Sequence, residues 1–339
     1  VPMAKLAASR GTAIIAQFAA QLAVGSVAGA SGLGLLQLFT SWTCIAGEVL
    51  GLGLPSRAMR EVSVAYADAQ AGQVAQVLRE SRRKIISFWL WLFLLVLLPA
   101  SLLLQMETHT SDYAWPLVFA GCAAPLFSLL RLYSESLKAT GAALAAVTLE
   151  SLVSPVLLLL TCAASWLAGA PIVTPFLIAA FILSLVITPL ALRSRLSQRL
   201  AQLSQAAHPA AASTPARAAP RGDLAYLWGT SVLSIGFLQL PFLIMPVYVD
   251  TTEIGVFAIA HKLINVITTL LLLLAAVFGP AFARHAARRD LPALLGLLRR
   301  TQLISTAVFL PAALALIALA QPIASLFGDD FGNLQTVLV

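Results

Sequence analysis

The chain has 339 residues, of which 60% are apolar and only 10% are charged, whereas about 25% of residues in soluble domains are charged. So few charges cannot cover a surface in water, which excludes a soluble enzyme, a secreted disulfide scaffold and a nucleic-acid-binding domain as descriptions of the whole chain. At about 20 apolar residues per bilayer crossing, the length allows on the order of ten transmembrane helices.

Glycine and proline divide the long uncharged runs into nine predicted transmembrane spans. The first run is broken at Gly29, Gly32 and Gly34, and a later one between Gly169 and Pro171. A tenth span starts close to the end of the sequence and has only about nine of the roughly 20 residues it needs, so we expect an incomplete protein. The nine spans are residues 11–29, 33–55, 85–105, 113–134, 142–165, 171–192, 224–247, 253–279 and 301–321.

The positions of the positive charges predict the direction of these spans. If the spans alternate in direction, twenty of the 21 Lys and Arg residues lie on one side of the membrane, and the remaining one, Lys262, lies inside a span. Cytoplasmic loops are enriched in Lys and Arg. The sequence therefore predicts a cytoplasmic N-terminus, and the net charge of +7 is explained by topology without a nucleic-acid partner.

Three cytoplasmic segments differ in character. Residues 56–84 and 281–300 mix apolar positions with charges, and we predict short helices lying on the inner membrane surface. Residues 193–222 begin as an amphipathic segment and continue as "AAHPAAASTPARAAPRGD", whose Ala, Pro and Ser content cannot build a packed core. We therefore predict a flexible cytoplasmic linker over residues 193–222.

Proline landmarks on the two sides of this linker predict an internal repeat. Before it, two spans are followed by Pro55, a basic surface helix and a span containing Pro99; after it, two spans are followed by Pro280, a basic surface helix and a span containing Pro311. Spans one to three thus match spans seven to nine in order and direction, which is typical of transporters built from parallel repeats.

The predicted fold is therefore all-α and polytopic, with two pseudo-symmetric six-helix lobes of which the second is incomplete. The N-terminal lobe covers residues 1–192, the linker covers residues 193–222 and the truncated C-terminal lobe covers residues 223–339. Bundles of this type usually enclose a binding site near the membrane midplane, where the repeats meet.

Three segments of the chain resemble a known family. These are "GLGLPSRAMREV" at residues 51–62, "EIGVFAIAHKLINVITTLLLLLAAVFGPAFAR" at residues 253–284 and "LISTAVFLPAALALIALAQPIASLFGDDF" at residues 303–331. They look like polysaccharide and O-antigen flippases of the multidrug, oligosaccharidyl-lipid and polysaccharide exporter superfamily. The resemblance covers nearly the whole chain through loose patterns of Gly, Pro and small apolar residues.

This resemblance implies two six-helix lobes around a central cavity that opens alternately to each side of the membrane. It implies transport of undecaprenyl-pyrophosphate-linked oligosaccharide, a polysaccharide or O-antigen repeat unit, from the cytoplasmic to the outer leaflet of the bacterial inner membrane. The expected partners are the lipid-linked oligosaccharide, the bilayer and polysaccharide assembly proteins. The chain departs from the family pattern because it lacks spans ten to twelve.

Two carboxylates lie inside predicted spans, where an unpaired charge is costly and marks a functional hypothesis. Glu48 lies nine positions before Arg57, and Glu150 lies nine positions after Gly141, so each is about 13 Å from the cytoplasmic end of its span. They are candidate sites for a coupling proton or Na⁺. The alternative is a pair of hydrogen-bonded structural acids that brace the second and fifth spans.

Lys262 is the cation inside the eighth predicted span, where "AxKL" or "AxRL" recurs in the resembling family. A pyrophosphate carries at least two negative charges, so Lys262 is a candidate substrate-binding residue. The alternative is an intramembrane ion pair with Glu48 or Glu150. His261 is a second candidate, although it points about 100° away from Lys262 on a helix.

Three arginines complete the candidate substrate-binding residues. Arg131 and Glu135 are spaced i, i+4 and are predicted to pair on one helix face, for which a structural role at the membrane surface is the alternative. Arg60 and Arg10 mark the inner ends of the second and first spans and are candidates for receiving the substrate headgroup. Their alternative role is that of ordinary positively charged residues of cytoplasmic loops.

The sequence contains no GxSxG, HExxH, P-loop or Gly-rich nucleotide motif. We therefore predict a transporter rather than an enzyme, with neither a cofactor nor a metal, and Cys44, Cys122 and Cys162 as small core residues. A cation-coupled multidrug or metabolite antiporter on the same scaffold is the main alternative. A membrane-embedded polysaccharide-assembly enzyme is a further one.

Overall fold

The computed structural model describes residues 3–94, 111–169, 174–206, 222–265, 291–327 and 331. Within them the chain is helical apart from short turns, with no β-strand. The helices are α1 (Met3–Gly51), α2 (Leu54–Ala67), α3 (Ala71–Leu92), α4 (Ser111–Ala139), α5 (Ala143–Ala168), α6 (Thr174–Ala206), α7 (Gly222–Ile244), α8 (251–265), α9 (Leu291–Ala318) and α10 (Ala320–Phe327), and a 3₁₀ turn, Met245–Val247, follows α7.

Six helices in the described part of the chain are long and apolar enough to cross a membrane. Their apolar segments are Ala8–Gly51, Pro116–Ala139, Ala143–Ala168, Thr174–Gln205, Leu224–Val247 and Leu291–Ala318. Large apolar side chains such as Trp166 and Phe237 are about four-fifths exposed, as expected of groups that face lipid. The prediction of an all-α, multi-pass membrane protein is confirmed.

Helix α1 contains the first predicted span and residues 33–51 of the second, whose last residues, Leu54 and Pro55, begin α2. Its 49 residues would extend about 74 Å if straight, whereas the hydrocarbon core of a bilayer is about 30 Å thick. The helix is kinked at Gly29, where φ is 69° and ψ is −178°, a conformation that is essentially restricted to glycine. The predicted break at Gly29 is therefore a kink between two helical segments. Gly32 and Gly34 are helical.

Three predicted boundaries differ from the structure. Helix α3 runs from the predicted surface segment into the predicted third span without a break at residue 85, and α9 likewise passes residue 301. Helix α6 continues to Ala206, so the first part of the predicted linker is helical, and residues 207–221 lie outside the described residues. No Gly or Pro occurs at these three junctions, and helix extension is favourable once a helix has formed.

The predicted spans 85–105 and 253–279 lie partly outside the described residues. So does the predicted surface helix 281–300, of which residues 291–300 belong to α9. The described part of the eighth predicted span is the helix α8, which carries Lys262 and His261.

The main core forms where α1 packs against α4, α5 and α6. The rings of Phe39 on α1 and Phe181 on α6 meet edge to face with centroids 5.8 Å apart. Buried hydroxyls such as those of Thr43 and Thr188 donate to the carbonyl oxygen four residues earlier, which satisfies them inside an apolar core. These four helices form one bundle.

Helices α7 and α8 pack against the second segment of α1. The Ser41 hydroxyl donates a hydrogen bond to Gln239 Oε1 at 2.9 Å, and the Trp228 indole donates to the carbonyl oxygen of Val49 at 3.1 Å. Where α1 crosses α8, a Cβ atom on Gly34 would overlap the carbonyl oxygen of Thr251, and one on Gly255 would overlap that of Ala30. Such small-residue contacts allow helix backbones to approach closely in membranes.

Candidate functional site: a polar cavity beside a charged cluster

A cavity of about 300 Å³ lies between α1, α4, α5, α6 and α8; we call it the central cavity. Its apolar walls include Leu36, Phe127 and Phe181. Its polar lining combines three amides, five hydroxyls, one thiol, one carboxylate and one ammonium group: Gln17, Gln21, Gln37, Thr40, Ser151, Ser154, Ser184, Thr188, Cys44, Glu150 and Lys262. Amides and hydroxyls offer both donors and acceptors, so the cavity is suited to a polar ligand.

Lys262 extends from α8 into the central cavity and is the cation that lines it. Among the described residues, no carboxylate forms an ion pair with its ammonium group. The alternative prediction, an ion pair with Glu48 or Glu150, is therefore not formed in this structure, where both acids contact Arg131 instead. An ammonium group that lacks a counter-ion among the described residues and is shielded from bulk water favours binding of an anion.

His261 does not line the central cavity. Its ring lies edge-on to Phe242, with centroids 5.3 Å apart, and stacks on Phe257 at 6.0 Å. The helical rotation between neighbouring residues therefore places Lys262 in the cavity and His261 in an aromatic contact between α7 and α8. In this structure His261 therefore does not face the central cavity, where a ligand would contact Lys262.

Arg131 on α4 is the centre of a charged cluster that comprises Glu48, Arg131, Glu135, Lys138 and Glu150. The Nη1 atom of Arg131 lies 3.3 Å from Glu135 Oε1 and 3.4 Å from Glu150 Oε1, and its Nε atom lies 3.7 Å from Glu48 Oε2. The i, i+4 pair of Arg131 with Glu135 occurs as the spacing predicted. The guanidinium group of Arg131 also contacts Glu48 on α1 and Glu150 on α5, so it links three helices.

Lys138 is the second cation of the charged cluster. Its Nζ atom lies 3.0 Å from Glu135 Oε1 and 3.1 Å from Glu150 Oε2, and the Ser134 hydroxyl donates to Glu150 Oε2 at 2.6 Å. From sequence, Lys138 was predicted to be one of the cations of the cytoplasmic loops, without a contact to Glu150. One face of α4 carries the residues at positions i, i+3, i+4 and i+7: Arg131, Ser134, Glu135 and Lys138. This spacing is the sequence signal from which their membership of one polar cluster could have been predicted.

Glu48 is the most buried carboxylate of the charged cluster. Its side chain is 6% exposed, and neither its Oε2 atom nor the Nε atom of Arg131 has a hydrogen-bond partner among the described residues. With three carboxylates and two cations, the charged cluster has a formal charge of −1 when all its groups are ionised. Since a buried charge requires compensation, the charged cluster can hold one additional proton or monovalent cation.

Glu150 connects the two parts of the site, because it belongs to the charged cluster and also lines the central cavity. Arg10 on α1 and Arg60 on α2 are exposed and do not line the central cavity. The structure thus brings Lys262 and Glu150 to one cavity and places Glu48 and Arg131 beside it. In the described part of the chain, no three His, Cys, Asp or Glu side chains are grouped in a way that could hold a metal ion.

The long apolar helices define a multi-pass helical membrane protein, and a cavity with many polar side chains lies between them. Residues 224–334 match the family described as "polysaccharide biosynthesis protein". A solved structure described as the inward-facing conformation of a multidrug resistance transporter, of the MATE family in the MOP superfamily, aligns with a TM-score of 0.71. The alignment covers 96% of this chain and 76% of that one, at 16% sequence identity.

No curated protein has a significant match to the sequence. The family match agrees with the predicted resemblance over residues 224–334, and the structural likeness shows that the chain shares its fold with a transporter of the superfamily that the sequence motifs resemble.

Proposed function

We propose that the protein moves undecaprenyl-pyrophosphate-linked oligosaccharide from the cytoplasmic to the outer leaflet of a bacterial inner membrane by alternating access. The observation that carries this proposal is Lys262, a cation without an ion-pair partner among the described residues, which lines a cavity rich in amides and hydroxyls. The match of residues 224–334 to a polysaccharide biosynthesis family supports the same substrate class.

The groups around the central cavity fit the two parts of such a headgroup. An ammonium group attracts the negative charges of a pyrophosphate, and in a cavity of low polarity this attraction is stronger than in water. The side chains of Gln17, Gln21 and Gln37 can donate to and accept from sugar hydroxyls, and the Oε1 atom of Gln21 is buried without a hydrogen-bond partner among the described residues. The lipid tail would remain in the bilayer.

The proposed architecture is the one that the sequence predicts, with two six-helix lobes joined by a cytoplasmic linker and a cytoplasmic N-terminus. In this proposal α1 to α6 belong to the first lobe and α7 to α10 to the second, so Lys262 reaches from the second lobe into a cavity lined mainly by the first. Polysaccharide assembly proteins would supply the substrate and receive the product. Arg10 and Arg60 would meet the headgroup at the cytoplasmic surface.

We further propose that Glu48 and Glu150 couple transport to a proton or Na⁺. The formal charge of −1 in the charged cluster leaves room for one monovalent cation, and Glu48 Oε2 has an unused acceptor position. Glu150 belongs to the charged cluster and to the central cavity. A cation bound at the charged cluster would therefore change the charge beside the bound substrate.

The test is complementation with the full-length protein in a host whose lipid-linked oligosaccharide flippase is deleted. Surface glycan is scored for the wild type, for Lys262→Ala, for Lys262→Arg and for the neighbouring control His261→Ala. We expect glycan to be restored by the wild type, retained in part by Lys262→Arg and by His261→Ala, and lost in Lys262→Ala at an unchanged protein level in the membrane. Normal glycan in Lys262→Ala would remove Lys262 from the mechanism.

A cation-coupled antiporter remains the second candidate function, because the charged cluster is net negative as a cation-binding site requires. If the wild type inserts correctly but restores no glycan, and efflux of cationic dyes increases in the same cells, the antiporter is favoured. In that case we expect loss of efflux in Glu48→Gln and retention of efflux in Lys262→Ala, because a cationic drug needs no ammonium group in its binding cavity.

A further inference from the structure

A second cavity, of about 210 Å³, lies between α3, α4 and α6 and shares no residue with the central cavity. We call it the arginine cavity. Arg79 and Arg82 reach it from α3, Arg193 from α6 and Tyr133 from α4. Its apolar lining is formed by Ala75, Leu78, Leu196 and Leu200. Tyr133 lies two residues from Arg131 and so points about 200° away from it around the helix.

Among the described residues, no carboxylate lies close enough to neutralise the three guanidinium groups of the arginine cavity. None of Arg79, Arg82 and Arg193 forms an ion pair with a carboxylate in the described part of the chain, whereas Arg57 and Arg131 are both paired. Like charges held around one small cavity repel each other. An anion placed between them would remove this repulsion and accept hydrogen bonds from planar guanidinium groups, which suit phosphate oxygens.

Tyr133 is the buried polar residue of the arginine cavity, whereas Arg79 and Arg193 are exposed. The residue is 7% exposed, and its hydroxyl has no hydrogen-bond partner among the described residues. Because this hydroxyl is accessible from the cavity, it can donate a hydrogen bond to a ligand bound there.

The combination of a basic rim and an apolar lining selects an amphiphile. Leucine side chains offer nothing to a free inorganic anion, but they can contact the glycerol and first methylene groups of a lipid. Arg79, Arg82 and Arg193 also lie in segments that the charge distribution assigns to the cytoplasmic side, and basic pockets between transmembrane helices on that side are suited to anionic headgroups.

We propose that the arginine cavity binds the phosphate of an anionic phospholipid of the cytoplasmic leaflet. Arg79, Arg82 and Arg193 neutralise the phosphate, Tyr133 donates a hydrogen bond to it, and the leucines hold the adjacent apolar part of the lipid. The bound lipid links the basic segment of α3 to the C-terminal part of α6. This site is independent of the substrate that the central cavity carries.

The test measures binding of phosphatidylglycerol and of phosphatidylcholine to the purified full-length protein by native mass spectrometry. We expect preferential binding of phosphatidylglycerol, weakened about tenfold by Arg82→Gln and again by Arg193→Gln, since a hydrogen bond to a charged group contributes that much. Tyr133→Phe should weaken binding by a few-fold, because it removes one neutral donor, while leaving the helix packing intact.

The matched control is the double variant Arg195→Gln with Arg199→Gln. Arg195 and Arg199 both lie on α6 and line a different cavity with Gln198 and Gln202. Their double variant removes two positive charges, as does the double variant Arg82→Gln with Arg193→Gln. An equal loss of binding in both double variants, or no preference for phosphatidylglycerol, would overturn the proposal. Displacement of the lipid by inorganic phosphate would assign the cavity to a soluble anion instead and would also overturn it.

Discussion

Arg131 shows how one side chain holds three helices together. It contacts Glu135 on its own helix, Glu48 on α1 and Glu150 on α5, and the exposed fraction of its side chain is 27%. Removing one partner from a buried ion pair leaves an uncompensated charge, which costs much more than the net contribution of the pair. The stability of the bundle therefore depends on this residue more than on any single surface charge.

We predict that Arg131→Met lowers the free energy of unfolding by about 3–5 kcal/mol, because Glu48 then loses its cation and Glu135 and Glu150 share Lys138. Thermal unfolding in detergent checks this. Arg57→Met is the matched control, since its pair with Glu61 is on the surface of α2 and should contribute at most about 1 kcal/mol. Adding Glu48→Gln to Arg131→Met should recover part of the loss, and no recovery would argue against a charge effect.

The residues of the site differ in how far their sequence positions predicted their surroundings. The spacing of Arg131 and Glu135 was sufficient to predict their pair because both lie on one helix. The contact of Arg131 with Glu48 joins residues 83 positions apart, and no periodicity within a helix encodes such a neighbour. For the same reason the sequence left two alternatives open for Lys262, a substrate-binding cation or an ion pair with Glu48 or Glu150, and the ion pair is not formed in this structure.

At the scale of the helix, Gly29 separates two segments of α1 that are each long enough to cross a bilayer. Its φ of 69° with ψ near 180° is a conformation in which a Cβ atom is strained. The direction in which the second segment of α1 meets α7 and α8 depends on this kink. Glycine is therefore required at this position for a backbone reason, independently of what surrounds it.

We predict that Gly29→Ala destabilises the protein by about 1–3 kcal/mol, the usual cost of such a conformation in a residue with a Cβ atom. Gly11→Ala is the control within the same helix, because a Cβ atom there meets no neighbour within 4 Å and alanine is the better helix former. Thermal unfolding of the two variants should give a lower melting temperature for Gly29→Ala than for Gly11→Ala. Equal melting temperatures would show that α1 tolerates a straight path at residue 29.

Helix ends were predicted less well than helix identity. The sixth span was predicted to end at residue 192, but α6 continues to Ala206, because its charged C-terminal part is rich in good helix formers and contains no Gly or Pro. The change from apolar to charged residues marks where a helix leaves the membrane and does not require the helix to end. Helices α3 and α9 cross the same kind of boundary.

At the scale of the whole molecule, the second segment of α1 is the surface on which α7 and α8 pack. The hydrogen bond from Ser41 to Gln239 and that from the Trp228 indole to Val49 cross this contact, as does the close approach of Gly34 to α8. If transport proceeds by alternating access of two lobes, this contact changes during every cycle.

We therefore predict that a covalent link across this contact stops transport. A reducible thiol crosslinker would join Ser41→Cys to Gln239→Cys, since the two native side chains are 2.9 Å apart, in a background with Cys44, Cys122 and Cys162 replaced by Ala. We expect surface glycan formation to cease on linking and to return after reduction, which serves as the internal control. Undiminished transport by the linked protein would show that this contact stays closed throughout the cycle.

The membrane class, the helical fold and the positions of most described apolar helices are predictable from short stretches of sequence, because hydrophobic length, charge and glycine or proline breaks are local properties. What those helices bring together is visible only in the packed bundle: the charged cluster around Arg131, the position of Lys262 in the central cavity, the aromatic contacts of His261 and the arginine cavity. These depend on which helix faces meet and how closely, and that is set by packing between segments far apart in the chain.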